Sequence, residues 1–169
     1  MLLETGGGAV KAIKTLGTTD ESLLIHNADI LTDFPLEEMV RYHNISHADA
    51  TLLCAERKSS RKILFDINDR MRGWMNESNG EIRGVSSLQG LVPKAFGGVH
   101  ILGQQAQKSL FEYSLKQESE AFGIMSFYIK ECENLKFVSY TPSSPYNWFD
   151  IGSPEKLYEA EQKISNKVH

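Results

Sequence analysis

The sequence predicts an α/β fold with a mixed, mostly parallel sheet. Short apolar runs alternate with segments of helical apolar spacing, and the links between them are short. The chain has 169 residues, of which 41% are hydrophobic and 24% charged, as in an ordinary globular protein with one core. We therefore expect a single domain over residues 1–169.

The first half of the chain opens with glycines and continues as alternating strands and helices. Three glycines at residues 6–8 precede the helical segment AVKAIKTL, which predicts a glycine-rich loop whose free N–H groups face an anion or a nucleotide. The apolar run 22–26 predicts a strand that stops at 27–29, and Pro35 suits the first turn of a helix. Further strands are predicted over 50–55, 62–66 and 70–75, the last two as a hairpin around 67–69.

The second half of the chain continues the alternation and ends on a capped helix. Strands are predicted over 96–102 and 137–140, and helices near 104–112 and 121–132. A turn rich in proline and serine at 141–145 then leads to a short aromatic strand. Ser153 is placed to cap the last helix, with Pro154 at its first position and Glu155 in its first turn.

Composition argues against several classes of partner. The net charge is −4, and no basic stripe indicates a nucleic-acid partner. The apolar runs are too short to span a membrane, and the N-terminus lacks the charged and apolar regions of a secretory signal. Cys54 and Cys132 lie far apart with no C-x-x-C motif, so we expect reduced thiols and a cytoplasmic location.

Two aspartates stand where predicted strands end. Asp29 follows the first strong strand, and Asp150 follows the short aromatic strand before the last helix. Open α/β sheets bind ligands beyond the carboxyl ends of their strands, so the two carboxylates converge if these strands are neighbours. Such a pair suits Mg²⁺, a hard cation that takes oxygen ligands and phosphate. The alternative is that each aspartate serves only as a turn or cap residue.

A basic cluster follows the predicted strand at 50–55. It consists of Arg57, Lys58, Arg61 and Lys62. Such a cluster is usually a solvated loop, and the alternative is that some of these side chains help to bind a phosphate group. The sequence leaves both readings open.

Four motifs occur in order over nearly the whole chain: LLETGGGAVKA, LLIHNADIL, FGGVHIL and WFDIGSPEKLYEAE. In this combination the chain resembles the sugar-1-phosphate nucleotidyltransferase family, and is most similar to the branch that activates N-acetylmuramate 1-phosphate or mannose 1-phosphate. The resemblance implies a Rossmann-like nucleotidyltransferase (GT-A-like) fold. It also implies that a nucleoside triphosphate is joined to a sugar 1-phosphate, with Mg²⁺ bound and pyrophosphate released.

The resemblance also implies roles for individual residues. The family's loop against the nucleobase and ribose, with the following asparagine, corresponds to Glu4, Thr5, Gly6, Gly7, Gly8 and Asn27. The family's metal-binding aspartates correspond to Asp29 and Asp150, and its contacts to the sugar correspond to Gly98 and Glu120. Ala28 departs from the family's Asn-Gly-Asp pattern, and its methyl group would crowd the backbone near the nucleotide.

One departure from the family is larger. Its members open with a strand and a G-x-G-T-R-type loop that grips the triphosphate, and this sequence contains neither, so it resembles the C-terminal two thirds of such an enzyme. Catalysis by this chain alone is therefore in question, because stabilisation of the leaving group is often the largest catalytic contribution. A missing central strand would also leave an exposed sheet edge, which predicts a homo-oligomer or pairing with a complementing chain.

Two alternatives to the enzyme remain open at this stage. One is a non-catalytic, truncated or split remnant that acts, if at all, through a partner chain. The other is a generic doubly-wound domain with an unrelated small-molecule ligand.

Overall fold

The computed structural model describes residues 3–17 and 20–165, so residues 1, 2, 18, 19 and 166–169 of the expected domain lie outside the described part. The described helices are α1 (Glu4–Leu16), α2 (Leu36–Ser46), α3 (Gln104–Ser114), α4 (Ile124–Glu131) and α5 (Pro154–Ser165). The described strands are β1 (Leu23–His26), β2 (Ile30–Thr32), β3 (Ala50–Ala55), β4 (Arg61–Phe65), β5 (Met71–Asn76), β6 (Glu81–Arg83), β7 (Val92–Leu102), β8 (Phe137–Tyr140) and β9 (Trp148–Asp150). None of these helices is long and apolar enough to cross a membrane.

The main sheet is mixed and is built around β7. Its strands lie in the order β6-β5-β4-β7-β3-β8, and β1 pairs with residues 99–102 of β7. Among the described strands only β3 and β8 are parallel, and the other pairs are antiparallel. The α/β class and the mixed sheet are confirmed. The expected predominance of parallel pairs is wrong, because β4, β5 and β6 form a meander and β7 runs antiparallel to its neighbours.

Helices cover both faces of this sheet. Alternate residues of β3 point to opposite faces: Leu52 and Cys54 pack with α1, α3 and α4, while Leu53 packs with α2. The larger cluster includes Phe127, Tyr128 and Phe137, and all three are fully buried. Burial of these apolar side chains is the main favourable contribution to the stability of the fold.

The glycine-rich segment is helical, which corrects the prediction of a loop. Helix α1 begins at Glu4 and includes all three glycines. The N–H groups of Gly6 and Gly7 donate to the carbonyl oxygen of Phe122 at 3.0 and 3.3 Å, so a protein carbonyl takes the donors that were expected to face an anion. A side chain at either glycine would overlap the link between α3 and α4. The glycines therefore permit close packing of this link on α1.

Strand β1 lies at an open edge of the described sheet. Its four residues pair with β7, and no second strand of the described part pairs with it. Leu23, Leu24 and Ile25 are half-buried, so the edge is partly apolar. The N–H and C=O groups along such an edge can accept another strand.

Candidate active site

A two-stranded ribbon outside the main sheet brings the two aspartates together. Strands β2 and β9 are antiparallel, with Ile30 opposite Asp150, and the Ile151 N–H donates to the carbonyl oxygen of Asp29 at 2.8 Å. Asp29 lies in the turn that leads from β1 into β2. The two carboxylates therefore meet because of this ribbon. They were expected to meet at the ends of two neighbouring strands of a parallel sheet, and that expectation is wrong.

Gly152 marks the point on which the two carboxylates converge. A Cβ atom built at Gly152 would lie 3.2 Å from Oδ1 of Asp150 and 3.2 Å from Oδ2 of Asp29. Because glycine has no side chain, this space is left to the two oxygens. Lys156 Nζ lies 2.7 Å from Oδ2 of Asp150, and the Gly152 N–H donates to Oδ1 at 3.0 Å. These two hydrogen bonds lower the pKa of Asp150 and keep its carboxylate ionised.

The donor atoms at this point fit a magnesium ion. Both are carboxylate oxygens, which are the ligands that hard divalent cations prefer. In the described part of the chain, no group of three or more His, Cys, Asp or Glu side chains is placed to hold a metal ion. A cation held by Asp29 and Asp150 would therefore complete its coordination with water and phosphate oxygens, as Mg²⁺ commonly does.

The two aspartates line a cavity of about 730 Å³, which we call the site cavity. Asn27 and Gly98 also line it. Gly98 has φ +76°, and a Cβ there would lie 2.7 Å from Cγ1 of Ile30. The Asn27 N–H donates to the Gly98 carbonyl at 2.9 Å, so the end of β1 is held against the middle of β7 beside the carboxylates.

Arg57 occupies the wall of the site cavity beside β9. Its guanidinium carbon lies 3.7 Å from the ring centroid of Trp148, and its Nη2 donates to the carbonyl oxygen of Phe96. Trp148 in turn donates through Nε1 to the carbonyl oxygen of Gly97 at 2.8 Å. Burial lowers the pKa of Arg57, and the nearby groups of Tyr146 and Asp150 oppose that shift.

The β4–β5–β6 meander forms the opposite wall of the cavity. Its strand register places Arg61, Asn76 and Glu81 in one row across the three strands. The next row on the same face contains Ile63, Trp74 and Arg83, and all six residues line the cavity. Arg83 pairs with Glu81 at 2.5 Å and lies over the ring of Trp74. This wall offers one aromatic surface and several hydrogen-bonding groups.

Sequence reasoning placed some site residues in the cavity and missed others. Asn27, Asp29, Gly98 and Asp150 are brought together. Arg57 was indicated only as part of a basic cluster, and the cavity residues of β5 and β6 were not predicted. The strand pattern at 70–75 was a usable signal for them, because alternate residues of one strand share a face.

Other predicted contacts lie elsewhere. Residues 4–8 and Glu120 do not line the site cavity. Gly7 and Glu120 line a second groove, of about 520 Å³, between α1 and the link that follows α3, together with Lys11 and Lys14. The predicted roles of the 4–8 segment and of Glu120 in binding nucleotide and sugar stay predictions.

The architecture is that of a nucleotidyltransferase-like α/β fold. Among solved structures it is similar to HddC from Yersinia pseudotuberculosis, whose crystal structure is of a complex with GMP-PN. The two share a TM-score of 0.66 at 15% sequence identity, and the match covers 97% of this chain and 64% of HddC. This chain therefore spans less than two thirds of the length of HddC. No protein-family model matches the sequence, and no curated protein matches it.

Proposed function

We propose that this chain carries the metal-binding half of a nucleotidyltransferase site that joins a nucleoside triphosphate to a sugar 1-phosphate. The observation that carries this proposal is the convergence of Asp29 and Asp150 on one point at Gly152, inside a cavity large enough for a small ligand. The nucleotidyltransferase-like fold and the sequence motifs at 27–29 and 148–152 support it.

In the proposed reaction, a phosphate oxygen of the sugar 1-phosphate attacks the α-phosphorus of the triphosphate. The new P–O bond forms as the bond from the α-phosphorus to the bridging oxygen breaks, and pyrophosphate leaves with that electron pair. No protein nucleophile is required, so the side chains act by positioning and by charge. Bound Mg²⁺ would supply neutralisation of phosphate charge, and Asp29 and Asp150 are the residues that would hold it.

The remaining residue roles follow from the same proposal. Asn27 and Gly98 lie in the cavity with the carboxylates, and we assign them to the nucleotide and the sugar respectively. Glu4, Thr5, Gly6, Gly7 and Gly8 are assigned to the nucleobase, and Glu120 to the sugar, on the sequence resemblance alone. Both cysteines are free and buried, which agrees with a reducing compartment, and we place the reaction in the cytoplasm.

The test is pyrophosphate release by the purified chain, with a panel of nucleoside triphosphates and sugar 1-phosphates. We expect Asp29→Asn and Asp150→Asn each to lower the rate by about two orders of magnitude or more, by loss of charge stabilisation. Asp20→Asn is the matched control, because Asp20 is an exposed carboxylate bonded to Gln104 outside the site cavity. Equal rates for Asp29→Asn, Asp150→Asn and the control would refute the proposal.

The open edge of β1 favours a second candidate, in which the chain is a non-catalytic half that acts through a partner. That partner would be a second copy or a complementing chain whose strand pairs with β1. Light scattering on the purified chain tests for self-association, and adding fractionated extract tests for complementation of activity. Full turnover by a monomer of this chain alone would refute this candidate.

A further inference from the structure

We propose that Arg57 is a phosphate-binding residue of the site cavity. This inference rests on the proposed function, and it names the side chain that meets the anionic part of the substrates. Arg57 lies just beyond β3 and lines the same cavity as Asp29 and Asp150.

The Arg57 guanidinium is held in place before any ligand arrives. It stacks on Trp148 at 3.7 Å and donates through Nη2 to the carbonyl of Phe96. Trp148 is itself fixed by its bond to Gly97 at 2.8 Å. A planar guanidinium that is already oriented loses little freedom when it binds a phosphate oxygen, and its other N–H groups remain in a fixed fork.

The hydrogen-bonding groups of this guanidinium are also incompletely satisfied. The Nε atom of Arg57 is buried, and no hydrogen-bond acceptor of the described residues reaches it. The ion pairs found among residues 3–17 and 20–165 do not include Arg57. Burying part of a charged group is unfavourable, and Asp150 offsets this cost only from a distance, without forming an ion pair with Arg57. A phosphate oxyanion in the cavity would offset it further.

Neighbouring basic side chains differ from Arg57 in their partners or their position. Lys62 pairs with Glu77 at 2.8 Å, and Arg83 pairs with Glu81 at 2.5 Å. Lys58 is exposed and does not line the site cavity. The basic cluster seen in the sequence is thus divided by the fold, and Arg57 is its member that combines a stacked guanidinium with a place beside the two aspartates.

The experiment is isothermal titration calorimetry on the full chain. The phosphate probes are inorganic pyrophosphate, mannose 1-phosphate and GTP, each with Mg²⁺, and free mannose is the neutral reference. The variants are Arg57→Met, Arg57→Lys and the matched control Lys58→Met, which removes one positive charge at the adjacent position. Thermal unfolding of each variant establishes that it is folded at the titration temperature.

We expect Arg57→Met to weaken binding of at least one phosphate probe by about tenfold or more, because it removes a hydrogen bond between two charged groups. Arg57→Lys is expected to recover part of the loss, and Lys58→Met is expected to bind each probe as tightly as the unmodified chain does. A loss confined to mannose 1-phosphate assigns Arg57 to the acceptor, and a loss confined to GTP assigns it to the donor.

Three results would overturn the inference. They are equal affinities for Arg57→Met and Lys58→Met, a loss as large for free mannose as for the phosphates, and no binding of any phosphate probe by the unmodified chain. The proposed function is tested separately, by measuring turnover. Binding of phosphate through Arg57 without turnover would refute the reaction and keep the site, while turnover unchanged in Arg57→Met would do the reverse.

Discussion

Acid should destabilise this protein through one buried histidine. His100 lies on β7, is fully buried, and forms a 2.5 Å hydrogen bond between its Nδ1 and the Tyr128 hydroxyl. Within the described part of the chain its Nε2 atom has no hydrogen-bond partner, and the rings of Phe96 and Tyr128 pack edge-on against the imidazole ring. Protonation would place a positive charge among aromatic rings, which burial strongly disfavours.

The size of the effect follows from the pKa. Burial lowers the pKa of His100 from 6.5 to about 3. His100 therefore becomes protonated below about pH 6.5 in the unfolded chain, but only below about pH 3 in the folded chain. Because the pKa of His100 is depressed in the folded state, its contribution to the free energy of unfolding is fully present above pH 6.5 and is lost as the pH drops. pH 5 lies about 1.5 pH units below 6.5, and each unit lowers the free energy of unfolding by about 1.36 kcal/mol, so the loss at pH 5 is about 2 kcal/mol.

Urea unfolding at pH 7.5, 6 and 5 measures this loss. Burial also lowers the pKa of His43, so the contribution of His100 is isolated by comparison with His100→Gln. We expect the free energy of unfolding to fall between pH 7.5 and 5 by about 2 kcal/mol more in the unmodified chain than in the variant. Because the variant is less stable at every pH, a histidine NMR titration of the unmodified chain is the second measurement. Equal pH slopes, or a His100 resonance that titrates above pH 5, would refute the reasoning.

Two glycine substitutions give further predictions, with Gly8→Ala as the control for the first, because a Cβ at Gly8 would meet no atom of the described residues within 4 Å. Gly7→Ala should lower the free energy of unfolding, measured by urea denaturation, by about 1–3 kcal/mol, because its Cβ would overlap the carbonyl of Glu120. An effect no larger than that of Gly8→Ala would contradict the proposed close packing of α1 on the link before α4. Gly152→Ala should weaken Mg²⁺-dependent nucleotide binding, measured by calorimetry, by about tenfold, because its Cβ would lie 3.2 Å from a carboxylate oxygen of each site aspartate. Its melting temperature should stay within a few degrees of that of the unmodified chain. Unchanged binding in Gly152→Ala would remove that point from the proposed metal site.

The elements with strong local signals were predictable from the sequence. The apolar run of β3 and the hairpin of β4 and β5 are confirmed within one residue, because a buried strand and a tight turn each leave a local pattern. The Ser153 cap is also confirmed: its carbonyl accepts from the Leu157 N–H at 2.9 Å and its Oγ from the Lys156 N–H at 3.4 Å. Strands β2 and β6 were missed, because three residues are too few to show alternation.

The glycine-rich segment shows where local reasoning failed. Glycine usually disfavours a helix, so three glycines in succession predicted a loop. The structure forms a helix there because Gly6 and Gly7 pack against a link more than 110 residues away, and their N–H groups bond to Phe122. Tertiary packing outweighs local propensity in this case, and no sequence window contains both partners.

The convergence of the site depends on a ribbon with little structure of its own. Strands β2 and β9 have three residues each, which is too short to be stable as an isolated hairpin. Trp148 connects this ribbon to the main sheet, because its Nε1 donates to Gly97 on β7 while its ring lies under Arg57. Asp150 is two residues further along the same strand. The tryptophan and the aspartate of one short motif thus perform linked tasks: the ring fixes the ribbon and the guanidinium, and the carboxylate lies with that of Asp29 beside Gly152.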